Sequence, residues 1–325
     1  MSATLLANSG IVPISEFNPK GDGKSDDAAI LQKAIHHAES IDGTLVLEPV
    51  TYRCDSELKI DHSRITILGN GATLDFSKMP KGTAITIAGH ISQYEDTFRA
   101  TKHYIERLDI RGQKKLTCFQ IGTDAKNDYA VNLSIRNVRV QSFDLAATWR
   151  NNAWDTDFTN CSFYECHTIV HIPSKVKTTG ERIVFDKCVF ANYINVADLW
   201  TGTIFFNNCS LDYFKEYAIS ASNGASAYLN GCHCEAKADG DYWFKTNDPY
   251  SSIFLTQCRF DIAGNRTKEI GHGFNKETVA GIFVSQSTIT PRKFKYEPES
   301  FFTGTVHISD VAPRKDSHRW SADHR

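Results

Sequence analysis

The chain carries no excess of charge of either sign. Its 36 Lys and Arg stand against 38 Asp and Glu, a formal net charge of −2, so it lacks the basic field that gathers nucleic acid. No apolar run approaches the ~20 residues that cross a bilayer, which excludes insertion by a membrane-spanning helix. The opening MSATLLANSG has neither a basic stretch nor an apolar core of leader length, and no signal peptide is expected. Paired CxxC motifs are absent as well. Nine cysteines are an odd number in a long chain, which argues against a small disulfide framework. Cys232 and Cys234 form an isolated CxC, too little for a metal site, and the thiols read as buried core residues made in a reducing compartment. No metal and no cofactor is expected.

What remains is a globular chain of 325 residues with 41% apolar and 23% charged residues, enough to bury a real core. Helical periodicity is confined to the start. Beyond residue 40 come short runs rich in Val, Ile, Thr and Phe, broken by Asn, Gly, Asp and Ser. A tetrad of the form polar-Cys-x-apolar recurs among them: NCSF, KCVF, NCSL, GCHC and QCRF. Its cysteines, Cys161, Cys188, Cys209, Cys232 and Cys258, are 27, 21, 23 and 26 residues apart. NVRV at 137–140 extends the series upstream, and QSTI at 286–289 extends it downstream with Ser287 in the cysteine slot.

Each unit has one strand before the tetrad, a variable loop after it and a further strand to close, such as HTIVHI, NVADLW, YAISAS or DYWFKT. Three short strands in about 23 residues suit one coil of a parallel β-helix. A propeller blade has four strands, and a sandwich has no such ladder. The cysteines then face inward, stacked at about 4.8 Å, and the residue before each sits in a tight turn, where an Asn side chain can reach the backbone of a neighbour.

The stretch FNPKGDGKSDDAAILQKAIHHA fits one end of that stack. Gly21, Asp22 and Gly23 form a turn, Ser25 or Asp26 caps a helix, and Asp27 sits in its first turn. Ala28, Ile30, Leu31, Ala34, Ile35 and Ala38 make an apolar stripe that covers the open end of the core. The ligand series of an EF-hand and the full phosphate-binding glycine motif are both missing. The expected organisation is a turn and capping helix at 1–40, a β-helix at 41–290 and a C-terminal extension at 291–325.

With the following GTLVLEPVTY, this stretch resembles the N-terminal signature of the pectate-lyase-like superfamily, which includes phage tailspike polysaccharide depolymerases and mannuronan C5-epimerases. The residues that carry the likeness are Phe17, Gly21, Asp22, Gly23, Asp26, Asp27, Gly43, Val46, Pro49 and Tyr52. Val50 departs from it, standing where the family has a turn glycine. The resemblance implies an all-β, single-stranded right-handed parallel β-helix acting on an acidic or complex polysaccharide. It implies no single reaction. The Asp-Pro-His-Glu motif of the epimerases is absent, and so is a set matching the calcium aspartates and arginine of true pectate lyases. A phage virion tail or the bacterial cytoplasm is the implied location, and a homotrimer the implied assembly.

Alternation along the closing strands predicts the groove. Val170, Ile172, Ala197, Leu199, Ile219, Ala221, Tyr242 and Phe244 are expected inside. His171, Asp198, Trp200, Ser220, Trp243 and Lys245 are expected outside, with Arg150 at the same edge. The flanking loops add Trp154, Asp155, Asp157, Glu165, Tyr193, Asp212, Glu216 and Tyr217. Asp155 and Asp157 read as two solvated residues on one strand face. The catalytic candidates are Asp198, His171 and Glu216; the substrate-binding candidates are Arg150, Trp200, Trp243, Lys245, Tyr193 and Tyr217. Aromatic faces stack on sugars, and cations pair with acidic glycan groups. A glycoside hydrolase would use Asp198 with Glu216 or Asp212; a lyase would use a cation and a base such as His171 or a tyrosine. A non-catalytic glycan-binding or structural β-helix is the alternative.

Overall fold

Each coil is short-stranded because it must turn three corners and return one strand spacing higher. The computed structural model describes residues 10–90, 103–236, 242–262, 269–273, 280–291, 302–304, 306–309 and 311–313. The first nine residues, where no leader is expected, and most of the extension from 291 lie outside them. The described chain is a right-handed parallel β-solenoid of about nine turns. One face is a sheet of ten strands, among them Leu145–Trp149, Thr168–Ile172, Asn195–Leu199, Tyr217–Ala221 and Tyr242–Thr246. The repeat suggests a solenoid over 41–290, while parallel pairing itself reaches from Ile11–Pro13 to Ala312–Pro313.

The other two faces of each coil meet at one left-handed residue. Asn137, Asn160, Lys187, Asn208, Gly231, Gln257 and Gln286 all have φ between 48° and 64°. Asn and Gly adopt this conformation readily, whereas Lys and Gln are held there by the coils above and below. The side chains bond each other rather than backbone: Asn160 Nδ2 donates to Asn137 Oδ1 at 2.6 Å, and Gln257 Nε2 to Gln286 Oε1 at 3.2 Å.

The next residue inward is the cysteine, and all nine cysteines are buried and free. The Cys188 thiol donates to Phe158 O at 3.4 Å, Cys209 to Phe185 O at 3.3 Å and Cys232 to Phe206 O at 3.2 Å. Ser287 Oγ makes the same contact to Leu255 O at 3.4 Å. Each ladder member thus reaches a carbonyl of the preceding coil and, in its own coil, the carbonyl two residues back, which for Ser287 is the shorter contact at 2.8 Å. Alongside run face-to-face rings, Phe158 on Phe185 at 4.7 Å and Phe185 on Phe206 at 5.4 Å. The cysteine ladder is core.

The helix Ala28–Ser40 buries Ala28, Leu31, Ala34, Ile35 and Ala38, most of the predicted stripe. Its N-terminus differs from expectation in detail. Asp27 occupies the cap position without a capping bond. Its wholly buried carboxylate instead accepts the Lys20 and Gly21 amides at 2.8 and 3.0 Å. Asp26 Oδ1 takes Ala28 N at 3.1 Å and Asp55 N at 3.0 Å, tying helix to coil. Gly21 and Gly23 have φ of 60° and 66°, and a Cβ on Gly21 would stand 2.8 Å from Val50. Among the described residues no helix is long and apolar enough to cross a membrane.

Candidate functional site

The ten-stranded sheet presents one outward residue per coil in a continuous row. Thr148 is in register with His171, His171 with Asp198, Asp198 with Ser220, Ser220 with Lys245, and Lys245 with His272. Adjacent members are about 4.8 Å apart along the backbone. His171, Asp198 and Lys245 are half-buried, and Ser220 is nearly covered. The alternation that put Val170, Ile172, Ala197, Leu199, Ile219 and Ala221 inside is observed.

The loop-side edge carries the residue just before each strand: Asp144, His167, Ile194 and Glu216. Asp144, His167 and Glu216 are exposed. The opposite edge carries Arg150, Trp200, Ser222 and Asn247, whose amides donate to Ile121, Ile172, Leu199 and Ala221 of the coil before. Trp200 is 43% exposed and offers a free ring. Asn247 Nδ2 donates to Ser220 Oγ at 2.8 Å and to Ser222 Oγ at 2.9 Å, bracing the floor.

The electrostatics centre on three side chains. Burial lowers the His171 pKa below its usual 6.5, with the Arg150 charge helping and Asp198 and Asp144 opposing. At neutral pH the imidazole is therefore uncharged, and Thr148 Oγ1 stands 3.3 Å from its Nδ1. The Tyr217 phenol is pushed up, first by burial and then by the Asp198 and Glu216 charges. Asp198 thus lies within electrostatic reach of a neutral imidazole and of a proton-retaining phenol.

Of the expected site residues, His171, Asp198, Trp200, Lys245 and Tyr217 lie together on this face, with Glu216 at its rim. Arg150 is there too, ion-paired with Asp124. Two expectations fail. Trp243 is wholly buried, its ring edge-on to Phe214 at 5.2 Å. Tyr193 is 1% exposed and stacks on Phe214 at 6.2 Å. Trp243 is missed because each strand bends at its second residue, turning two neighbours inward: Ile169–Val170, Val196–Ala197, Ala218–Ile219 and Trp243–Phe244 are all buried. Strict alternation does not survive that corner, and Tyr242 is only half-buried. Asp212 also leaves the groove, since it lies on a neighbouring sheet beside His233. Asp155 and Asp157 face outward, both paired with Arg182, at 3.1 and 3.2 Å.

Asp144, absent from the expected set, holds the same place before a closing strand as Glu216. A second aromatic row, equally unexpected, lies on another face. Phe205, Tyr228, Phe254, Phe283 and His307 stack outside the coils at 4.9, 4.5, 4.7 and 4.6 Å. Their faces are spent largely on one another.

Residues 11–211 match the family described as "Rhamnogalacturonase A/epimerase, pectate lyase-like". A Klebsiella pneumoniae protein, the "Uncharacterized 65.4 kDa protein in cps region", is 27% identical over 233 residues, which cover 69% of this chain and 39% of that protein. Among solved structures, the enzymatically active domain of tailspike protein 4 of bacteriophage CBA120 superposes with a TM-score of 0.76 at 16% identity, covering 94% of this chain and 44% of that one. The tailspike of Acinetobacter phage vB_ApiP_P1 gives 0.64 at 15% identity, covering 98% and 65%. The E. coli bacteriophage HK620 tailspike, solved with a pentasaccharide, gives 0.58 at 12% identity, covering 97% and 68%. The chain spans less than half the length of the Klebsiella and CBA120 proteins.

Proposed function

The chain belongs to the rhamnogalacturonase A/epimerase, pectate lyase-like family, and from that premise we propose that it is a tailspike-like polysaccharide depolymerase. Its substrate in this reading is an acidic capsular or exopolysaccharide, whose glycosidic bonds it cleaves. The observation that carries the reading is the in-register pair His171 and Asp198 on the groove floor, with Tyr217 close enough to Asp198 to feel its charge. The cps-region name of the Klebsiella relative and the tailspike structures support a bacterial surface glycan as substrate and a virion tail as location. Trp200 stacks on a sugar, and Lys245 and Arg150 meet its acidic groups.

Two reactions use this equipment. In hydrolysis, one of Asp198 and Glu216 protonates the departing oxygen while the other acts as base or nucleophile. In β-elimination, His171 takes the proton α to a uronate carboxylate that Lys245 or Arg150 neutralises, and Tyr217, which keeps its proton, serves as the acid. The C–H electron pair becomes the C4–C5 double bond, and the O4 glycosyl oxygen leaves and is protonated. The neutral state of His171 favours it as the base.

Incubation with a panel of acidic capsular polysaccharides tests the proposal. New reducing ends with the ultraviolet absorbance of an unsaturated uronate identify elimination. Reducing ends without that absorbance identify hydrolysis. Binding without product supports the non-catalytic, glycan-binding alternative and overturns the enzyme reading. The homotrimer belongs to the same proposal and is read by light scattering.

A further inference from the structure

On a sheet next to the groove, three strands place six polar residues in a grid. Ser210 is in register with His233 and Asp212 with Glu235, and in the next coil His233 with Arg259 and Glu235 with Asp261. Alternation turns all six to one outer face, while Leu211, Cys234 and Phe260 between them point into the core.

We propose that Asp212, His233 and Glu235 form a binding site for a divalent first-row transition cation, zinc foremost. One ligand atom from each of the three lies within 4.8 Å of the others. Ligands of one tetrahedral zinc with bonds of about 2.0–2.2 Å stand roughly 3.4 Å apart. Asp212 Oδ1 and His233 Nδ1 already stand 3.2 Å apart, so Glu235 is the side chain that closes the remainder. One imidazole with two carboxylates suits zinc and its neighbours better than calcium or magnesium, which take oxygen alone.

Three further observations point to a ligand rather than a self-contained ion pair. First, Asp212 Oδ1 is shut off from solvent with no hydrogen bond aimed at it, although His233 Nδ1 is only 3.2 Å away. Second, His233 Nε2 lies 3.0 Å from Asp261 Oδ2, and Asp261 is gripped by Arg259 Nε at 3.0 Å. A carboxylate on the far ring nitrogen is the outer-shell support that metal-binding histidines use; it directs the Nδ1 lone pair toward Asp212. Third, Ser210 Oγ donates to Asp212 Oδ2 at 2.8 Å. That fixes the ligating carboxylate and leaves the serine no proton for Nδ1 at 3.3 Å. His233 and Asp212 keep 34% and 19% of their side-chain surface, enough for an ion to enter.

The test uses the full chain freed of metal with a chelator. Calorimetric titration with zinc chloride is expected to give one site, with His233→Ala and Asp212→Asn losing binding and Asp261→Asn weakening it about 10- to 100-fold. His171→Ala, on the groove, is expected to bind zinc like the wild type. Failure of the wild type to bind zinc saturably, or full binding by His233→Ala, overturns the proposal. Should those variants not fold, X-ray absorption on the zinc-loaded wild type decides. One imidazole with oxygen ligands at about 2.0–2.1 Å sustains the site, and a sulfur shell near about 2.3 Å refutes it.

Discussion

His171 lies directly opposite Asp198 on the next coil, in the outward row of the ten-stranded sheet. The carboxylate works against the burial that keeps the imidazole uncharged. Replacing Asp198 with Asn removes that opposition, so the His171 pKa is expected to fall further. Histidine C2–H chemical shifts followed against pH measure this. An unchanged or raised His171 pKa in Asp198→Asn would show that the two side chains do not interact.

Turnover depends on the same pair. Asp198→Asn and His171→Ala are each expected to lose roughly 10²- to 10⁴-fold in kcat/KM on the cleaved glycan, with an unchanged far-ultraviolet spectrum. The wild-type acid limb is expected below pH 6.5, because His171 serves as base only when neutral and its pKa is lowered. An acid limb above that value points to another base.

The two tryptophans have opposite tasks. Trp243→Ala removes a wholly buried ring and is expected to cost about 3–5 kcal/mol of stability, seen as a lower denaturation midpoint. Trp200→Ala is expected to leave the midpoint in place and weaken glycan binding roughly 2- to 10-fold. Equal stability losses in both would contradict the bend at the second residue of each strand.

The thiols are closed to reagents. Burial raises Cys118 and Cys234 well above the ordinary thiol range, and every ladder thiol is likewise shut away from solvent. A disulfide dye is expected to titrate none of the nine cysteines in the native protein and all nine in denaturant. Fast reaction of any native thiol counts against the buried ladder.

Glu39 makes stability fall as pH rises. Its carboxyl is pushed up to about 7, chiefly by burial at the helix end, while it accepts the Asp61 amide at 2.7 Å. A folded-state pKa above the unfolded value of 4.5 means that the folded state favours the proton. The contribution is complete below pH 4.5 and is lost as pH rises through 7. Glu39→Gln keeps the acceptor without the charge, and its melting temperature is expected to drop less than that of the wild type between pH 5 and pH 7.5. Parallel curves would assign the pH dependence elsewhere.

The repeat, the cysteine slots and the apolar stripe at 28–38 were legible because each follows from local chemistry. A parallel coil demands the same residue type at the same place in every turn, so one chain shows its own ladder, with Ser287 standing in for the sixth cysteine. The in-register meeting of His171 and Asp198 was legible for the same reason, since unbroken alternation over 170–172 and 197–199 fixes both faces. Where a strand bends or a loop folds back, sequence order no longer gives direction. Trp243 turns inward at the corner, Tyr193 closes over the core, and Asp212 goes to the neighbouring sheet. The grid of Ser210, Asp212, His233, Glu235, Arg259 and Asp261 joins residues from three coils, and only the register between those coils brings them together. Local chemistry along the chain dictates the coil, its ladder and the floor of the groove. Which polar side chains meet across coils depends on corner geometry that no single repeat encodes.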